Sequence, residues 1–232
     1  MAFSKGKGLI ALGAALVLLD QVTKVLVKTN MTIGEAIPVI GDFLRICFVE
    51  NEGMAFGMSW GGAVGKVLLS VFRIALFGFL WWWISSLIKK GYVPQQKASG
   101  KAGGGVAPES AASAAKVLPV PTGVLVGLTL IAAGALGNII DCWFYGLVFG
   151  ASDVFTVASF GDSYAPFMMG KVVDMISFSI FPPVFNVADS CVTVGAAYLI
   201  LFQWRFFSGY GSLPKESQPT DSGKAPAKNS GR

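Results

Sequence analysis

Long apolar runs separated by short polar stretches make up most of this chain. Leu9–Val27, Val67–Ile88, Val120–Ile140 and Phe185–Phe207 are each predominantly apolar. An α-helix needs about 20 such residues to cross a bilayer. The pattern therefore predicts four spanning helices, over 9–27, 67–88, 120–140 and 185–207. A secretory signal peptide competes for the first run, but no convincing small-x-small cleavage site precedes Asp20 and the apolar pattern resumes after it. Residues 30–62 are different material. Gly34, Pro38 and Gly41 punctuate them, and FLRICFV (Phe43–Val49) is rich in β-formers, which predicts a small β element outside the membrane. It ends in ENEGMAFG (Glu50–Gly57), where Asn51, Gly53 and Gly57 suggest a tight loop.

The other connections differ again. Residues 89–119 are dominated by Ala, Gly, Ser and Lys and read as a flexible linker. Residues 142–184 form an insertion whose first part, Cys142–Met169, is long enough to be a lid or an irregular loop. Residues 208–232 are polar and Pro/Gly/Ser-rich, as a disordered tail would be. The expected fold class is thus a membrane all-α domain over 1–207 with a small β element. The four-helix unit shows no internal repeat.

Composition supports the membrane reading. The chain is 53% hydrophobic and 13% charged, against about 25% charged in average soluble domains. The net charge of +5 is spread over loops and tails rather than gathered into a basic stripe, so nucleic acid is not an expected partner. Eleven Lys and Arg fall in the N-terminal stub, the linker and the tail, and four (Lys28, Arg45, Lys66, Lys171) in the other two loops. By the positive-inside rule both termini and the linker are cytoplasmic, and the β element and the insertion face outward. Trp81–Trp83, followed by Lys89 and Lys90, read as an interfacial belt, and Arg73 is placed to snorkel toward the nearer surface.

The residue inventory narrows the chemistry. The chain has no histidine, which removes Ser–His and Cys–His catalysis and His-ligated zinc. Cys47, Cys142 and Cys191 lie far apart, so neither a disulfide framework nor a metal site is indicated. No cofactor or metal is expected, and acid–base work falls to Asp, Glu, Lys or Tyr. The predicted topology brings several polar motifs to one membrane face: Asp20 in DQVTK, Asn51, Asn138 and Asp141 at i and i+3, Asp174, and Asn186 and Asp189, again at i and i+3. An ionisable residue in a spanning segment is a functional-site hypothesis by default. Two carboxylates in a low-dielectric site cannot both ionise cheaply, so Asp174 and Asp189 sharing one proton would make an acid and a base. Asp189, in a first helical turn, is the partner expected to ionise first. The bland account keeps Asp141, Asp174 and Asp189 as helix caps and loop-organising acids, and Asp20–Lys24 as an i,i+4 ion pair. A proton-coupled transporter, a non-catalytic membrane assembly protein and a presenilin-like protease are the competing classes. The last would need GxGD, and the nearest string is SFGD at Ser159–Asp162.

DQVTK, NEGMAFG, GALGNIID, GKVVD and FNVADS, in that order and spacing, resemble the motif set of the bacterial lipoprotein signal peptidases (signal peptidase II) over roughly Leu9–Phe207. The resemblance implies a four-helix aspartic endopeptidase of the bacterial inner membrane. Such an enzyme cuts prolipoproteins just before a diacylglyceryl-modified cysteine and is a target of globomycin. It implies Asp174 and Asp189 as the catalytic pair. Asp20, Asn51, Gly53, Asn138, Asp141 and Asn186 would support the site, and the β element would be a periplasmic cradle beside membrane lipid. A monomer with its active site near the periplasmic face is expected. Two departures stand out: Cys142 occupies a position where the family pattern has Arg, and the insertion is longer than usual.

Overall fold

The computed structural model describes residues 2–52, 62–92 and 117–208. The motif from Gly53 to Gly57, most of the linker and most of the tail lie outside the described residues. Helices α1 (Ala2–Asn30), α2 (Gly62–Lys90) and α3 (Thr122–Ile140) correspond to the first three apolar runs. α3 runs on through a π-helical turn (Asp141–Tyr145) into the short α4 (Gly146–Val148). The fourth run becomes α5 (Val187–Phe202) and the short α6 (Trp204–Ser208).

Three of these helices are long and apolar enough to cross a membrane: Gly6–Asn30, Val64–Lys90 and Thr122–Val148. α5 is apolar but has only 16 residues, about 24 Å at 1.5 Å per residue, so among the described residues three of the four expected spans reach full spanning length. The third is central. Of its most apolar stretch 67% is buried, against 17% and 11% for the first two. α1, α2 and α5 pack around it, and residues such as Leu18, Leu26, Leu68, Phe72 and Ile200 stay exposed on the outer faces. An apolar outer surface suits a lipid solvent. On α2, Trp81 and Trp82 are exposed as a belt requires, whereas Trp83 turns inward against Phe79 and Phe207.

Small residues set how closely α5 approaches α3. A Cβ on Gly134 would lie 2.3 Å from the Ala188 carbonyl oxygen, and one on Gly195 would lie 2.8 Å from that of Gly127. Only glycine permits such contact, the device by which helices associate in lipid. It holds the N-terminus of α5 level with the polar end of α3.

The β element is larger than the sequence pattern predicts. β1 (Ala36–Ile40) and β2 (Leu44–Asn51) fall where expected, but β3 (Val172–Phe178) and β4 (Phe181–Phe185) complete a four-stranded antiparallel sheet in the order β1-β2-β3-β4. Residues 172–185 therefore belong to the sheet, and the fourth apolar run begins as a strand. Pro182 and Pro183 in FPPVF argue against a strand, yet β4 is an edge strand paired only at Phe181 and Phe185, and prolines are tolerated there.

The remainder of the insertion is irregular but tied down. Phe149 bridges Phe160, the Asp153 carboxylate accepts from the Phe155 and Thr156 N–H groups, and Ile33 N–H donates to the Asp153 carbonyl at 2.9 Å. Those two backbone donors hold the exposed Asp153 carboxyl below the usual carboxylate range.

Candidate active site

The register of β2 on β3 starts the site. Val49 pairs with Asp174 and Asn51 with Val172, so Asn51 sits diagonally from Asp174 on the same face of the sheet. Its Nδ2 donates to Asp174 Oδ2 at 3.2 Å. Asp174, placed by the apolar pattern in the insertion ahead of the fourth run, is thus a strand residue, 3% exposed.

The second acid comes from α5. Asn186 caps this helix, its Oδ1 accepting from the Asp189 N–H at 2.8 Å, the ordinary way an Asn satisfies an N3 donor. The buried Asn186 then uses its Nδ2 twice, donating to Asp174 Oδ1 at 2.7 Å and to Asn138 Oδ1 at 3.2 Å. Asn138, on α3, donates from Nδ2 to Asp189 Oδ1 at 2.8 Å. Each acid therefore receives an asparagine N–H, and the two asparagines are bonded to each other. One cap residue joins the strand acid to the helix acid. The asparagines orient carboxylates here.

Behind this relay lies a buried ion cluster. Lys24 is 0% exposed and its three ammonium protons are all placed: on Asp20 Oδ2, Asp141 Oδ2 and Asn138 Oδ1, each at 2.8 Å. Asp20 Oδ1 accepts from the Ala188 N–H at 2.8 Å, bracing the first turn of α5. Asp141 Oδ2 accepts from the Val173 N–H at 3.2 Å, bracing β3 beside Asp174. Gln21 Nε2 bridges Asp20 Oδ2 and Asp141 Oδ1, and Tyr145 donates to Gln21 Oε1. A buried cation between two buried carboxylates is tolerable only when every group is paired in this way. Gly137 makes room, since a Cβ there would lie 2.6 Å from Asp20 Oδ2.

The two acids are not equivalent. Burial, and then the neighbouring Asp189, push the Asp174 carboxyl up to about 7, although hydrogen bonds from Asn51 and Asn186 and the charge of Lys24 oppose this. Asp189 is half-buried and open to an approaching water. Near neutral pH Asp174 therefore carries the proton for a large part of the time.

Every site residue inferred from the sequence belongs to this network except Gly53, which lies outside the described residues. Sequence reasoning missed the scale of the part played by α1. The sequence pattern pairs Lys24 with Asp20 alone, does not single out Gln21, and marks Lys28 only as a topology signal. Lys28 is also 0% exposed, pairing with Glu50 at 2.5 Å and donating to Ser152 at 2.8 Å. Lys171 reaches the same Glu50 at 3.5 Å. The signal was present as Asp20, Lys24 and Lys28 at four-residue spacing, one polar face on an otherwise apolar helix. Among the described residues no group of three or more Cys, Asp or Glu could hold a metal ion.

Comparison with known proteins gives this geometry a family. The chain matches the family described as Signal peptidase (SPase) II over residues 12–106 and 120–205. It is 33% identical to a lipoprotein signal peptidase of Porphyromonas gingivalis, covering 93% of this chain and 95% of that one. It is 32% identical to the lipoprotein signal peptidase of Halothermothrix orenii, covering 82% and 90%. A solved bacterial membrane enzyme structure, obtained in meso at 2.3 Å, superposes with a TM-score of 0.54 at 26% identity over 91% of this chain and 93% of that one. With the described residues of its motifs folded into one connected polar site beside helices long and apolar enough to cross a membrane, the chain belongs to the signal peptidase II family of bacterial membrane proteases.

Proposed function

We propose that the protein is an aspartic endopeptidase that removes signal peptides from prolipoproteins, cutting on the N-terminal side of a diacylglyceryl-modified cysteine. The observation that carries this reading is the pairing of a buried acid, Asp174, with a more open one, Asp189, through Asn186 and Asn138. Membership of the family and the lipoprotein signal peptidase relatives supply the substrate class.

The chemistry needs no covalent intermediate. Ionised Asp189 takes a proton from water as the water oxygen bonds to the scissile carbonyl carbon. Protonated Asp174 gives its proton to the carbonyl oxygen, neutralising the charge that develops there. As the tetrahedral species collapses, the C–N bond breaks. The leaving nitrogen takes the proton from Asp189, and a hydroxyl of the intermediate returns one to Asp174. Both acids end as they began. The Lys24 cluster holds Asn138 and the first turn of α5 in place and takes no proton.

The remaining expectations belong to the same reading: a multi-pass protein of the bacterial cytoplasmic membrane, with α5 as a fourth span and both termini cytoplasmic. The sheet would face the periplasm, and the protein would work as a monomer. Excess positive charge at the opposite end supports this orientation.

The test is cleavage of a diacylglyceryl-modified prolipoprotein peptide by the detergent-purified protein. Asp174→Asn and Asp189→Asn should each abolish the cut while leaving the melting temperature within a few degrees. Retained turnover in either variant would refute the pairing.

A further inference from the structure

Arg73 is a charge the proposed reaction does not use. It lies nine residues into the candidate span Val64–Lys90, about 14 Å along the helix at 1.5 Å per residue. A guanidinium at that depth is costly unless it has partners. Arg73 is half-buried, and its hydrogen bond among the described residues is to Cys142 Sγ, from Nη1 at 3.3 Å. Among the same residues it forms no ion pair. A guanidinium has five donors, and a thiol is a weak acceptor, so among the described residues most of its hydrogen-bonding capacity is unspent.

Its surroundings point toward the active site. Cys142 directly follows Asp141, whose carboxylate pairs with Lys24. On α2 itself, Lys66, Ser70 and Arg73 fall at i, i+4 and i+7 and share one face. Ser70 is 2% exposed, and Lys66 is within electrostatic range of Glu52, Cys142, Lys171 and Glu50. A polar stripe thus descends α2 from the sheet end into the spanning segment, facing the end of α3. Next to Cys142, the buried Trp143 Nε1 is a second donor with no partner among the described residues. Donors in excess, at membrane depth, beside a site that takes a lipidated peptide, call for oxygen acceptors that are themselves lipid-borne.

Resting on the peptidase reading, we propose that Arg73 is a substrate-positioning residue that binds the ester carbonyl oxygens of the substrate's diacylglyceryl group. From α2 it supplies the guanidinium that position 142 of α3 lacks. A planar fork with several donors fits a pair of ester oxygens better than a point charge would. Peptide carbonyls of the substrate are the other source of the same chemistry, and the test separates the two.

The experiment measures binding in the uncleavable Asp189→Asn background, with Arg73 intact or changed to Gln. The probes are a fluorescent signal peptide bearing a diacylglyceryl cysteine and its analogue in which both ester links are ethers. With Arg73 present, the ester peptide should bind about tenfold tighter than the ether analogue, the loss of one charge-assisted hydrogen bond. With Arg73→Gln the two should bind alike, at the weaker level. A second variant, Arg73→Gln with Cys142→Arg, moves the guanidinium to α3 and should restore at least threefold of that preference, which a purely structural role for Arg73 would not do.

Equal ester preference with and without Arg73 would overturn the proposal. So would a loss for Arg73→Gln that is the same for both peptides, because it would place the guanidinium on the peptide or on the fold. Failure of the peptidase reading shows separately, as absence of cleavage of the ester peptide by the unmutated protein.

Discussion

Lys24→Met is the most informative perturbation of this molecule. Lys24 is fully buried and gives one proton each to Asp20, Asp141 and Asn138. Methionine keeps most of the volume and removes the charge. Asp20 and Asp141, 1% and 0% exposed, then face each other across the site without a cation. Removing one partner of a buried ion pair costs about 3–5 kcal/mol. The two pairs share one lysine, so we expect that figure for the variant and not twice it. By the size scaling of unfolding entropy this lowers the melting temperature by about 10 °C.

Activity should fall further than stability alone explains. Asn138 loses the ammonium that fixes its Oδ1, and its amide is then free to rotate away from Asp189. The loss of such an oriented hydrogen bond is about 1.5–3 kcal/mol, or at least about tenfold in kcat. Lys24→Met with Asp141→Asn removes one of the two stranded charges and leaves one oxygen acceptor, for either Gln21 or the Val173 N–H. It should recover at least half of the lost stability without recovering full activity. Thermal unfolding in detergent and single-turnover cleavage read both quantities. A Lys24→Met protein that melts within 1 °C of the parent, or a double variant less stable than the single, would refute the idea that the lysine holds the site together by charge.

Other outcomes follow from the same geometry. The folded Asp174 carboxyl, raised to about 7 from an ordinary 3.8, keeps a proton that the unfolded chain releases between these values. Stability should therefore fall as pH rises from about 4 to 7 and level off above. Melting scans across that range check the slope, which Asp174→Asn should flatten. Cleavage should likewise decline as pH rises through about 7, because the acid that protonates the carbonyl oxygen is lost. Gly137→Ala puts a Cβ 2.6 Å from Asp20 Oδ2 and 3.0 Å from Ala188 Cβ. It should cost about 1–3 kcal/mol of overpacking, visible as a lowered melting temperature. EDTA should leave peptide cleavage unchanged, since Asp20, Asp141, Asp174 and Asp189 are already engaged by lysine or amide partners. Loss of turnover on chelation, reversed by a divalent metal, would overturn that account.

Much was determined by the sequence alone. Apolar run length decides which segments become long helices, because an unpaired backbone cannot remain in lipid. The i, i+3 spacing of Asn138–Asp141 and Asn186–Asp189 places each pair on one helical face, whatever the helix packs against. Those local rules, with the ordered motifs, were enough to collect seven residues that share one polar network and to indicate the family. Other features depended on contacts between distant segments. FPPVF has a poor strand signature and becomes one only by pairing at the edge of β3. Asp174 acquires its raised carboxyl from burial and from Asp189, neither visible in VVD. Lys24 has an obvious partner four residues away in Asp20, yet half of its role lies with Asp141 and Asn138, more than a hundred positions on. Hydrogen bonds and ion pairs act over about 3 Å of space, and only close helix packing through glycine brought these groups within that range.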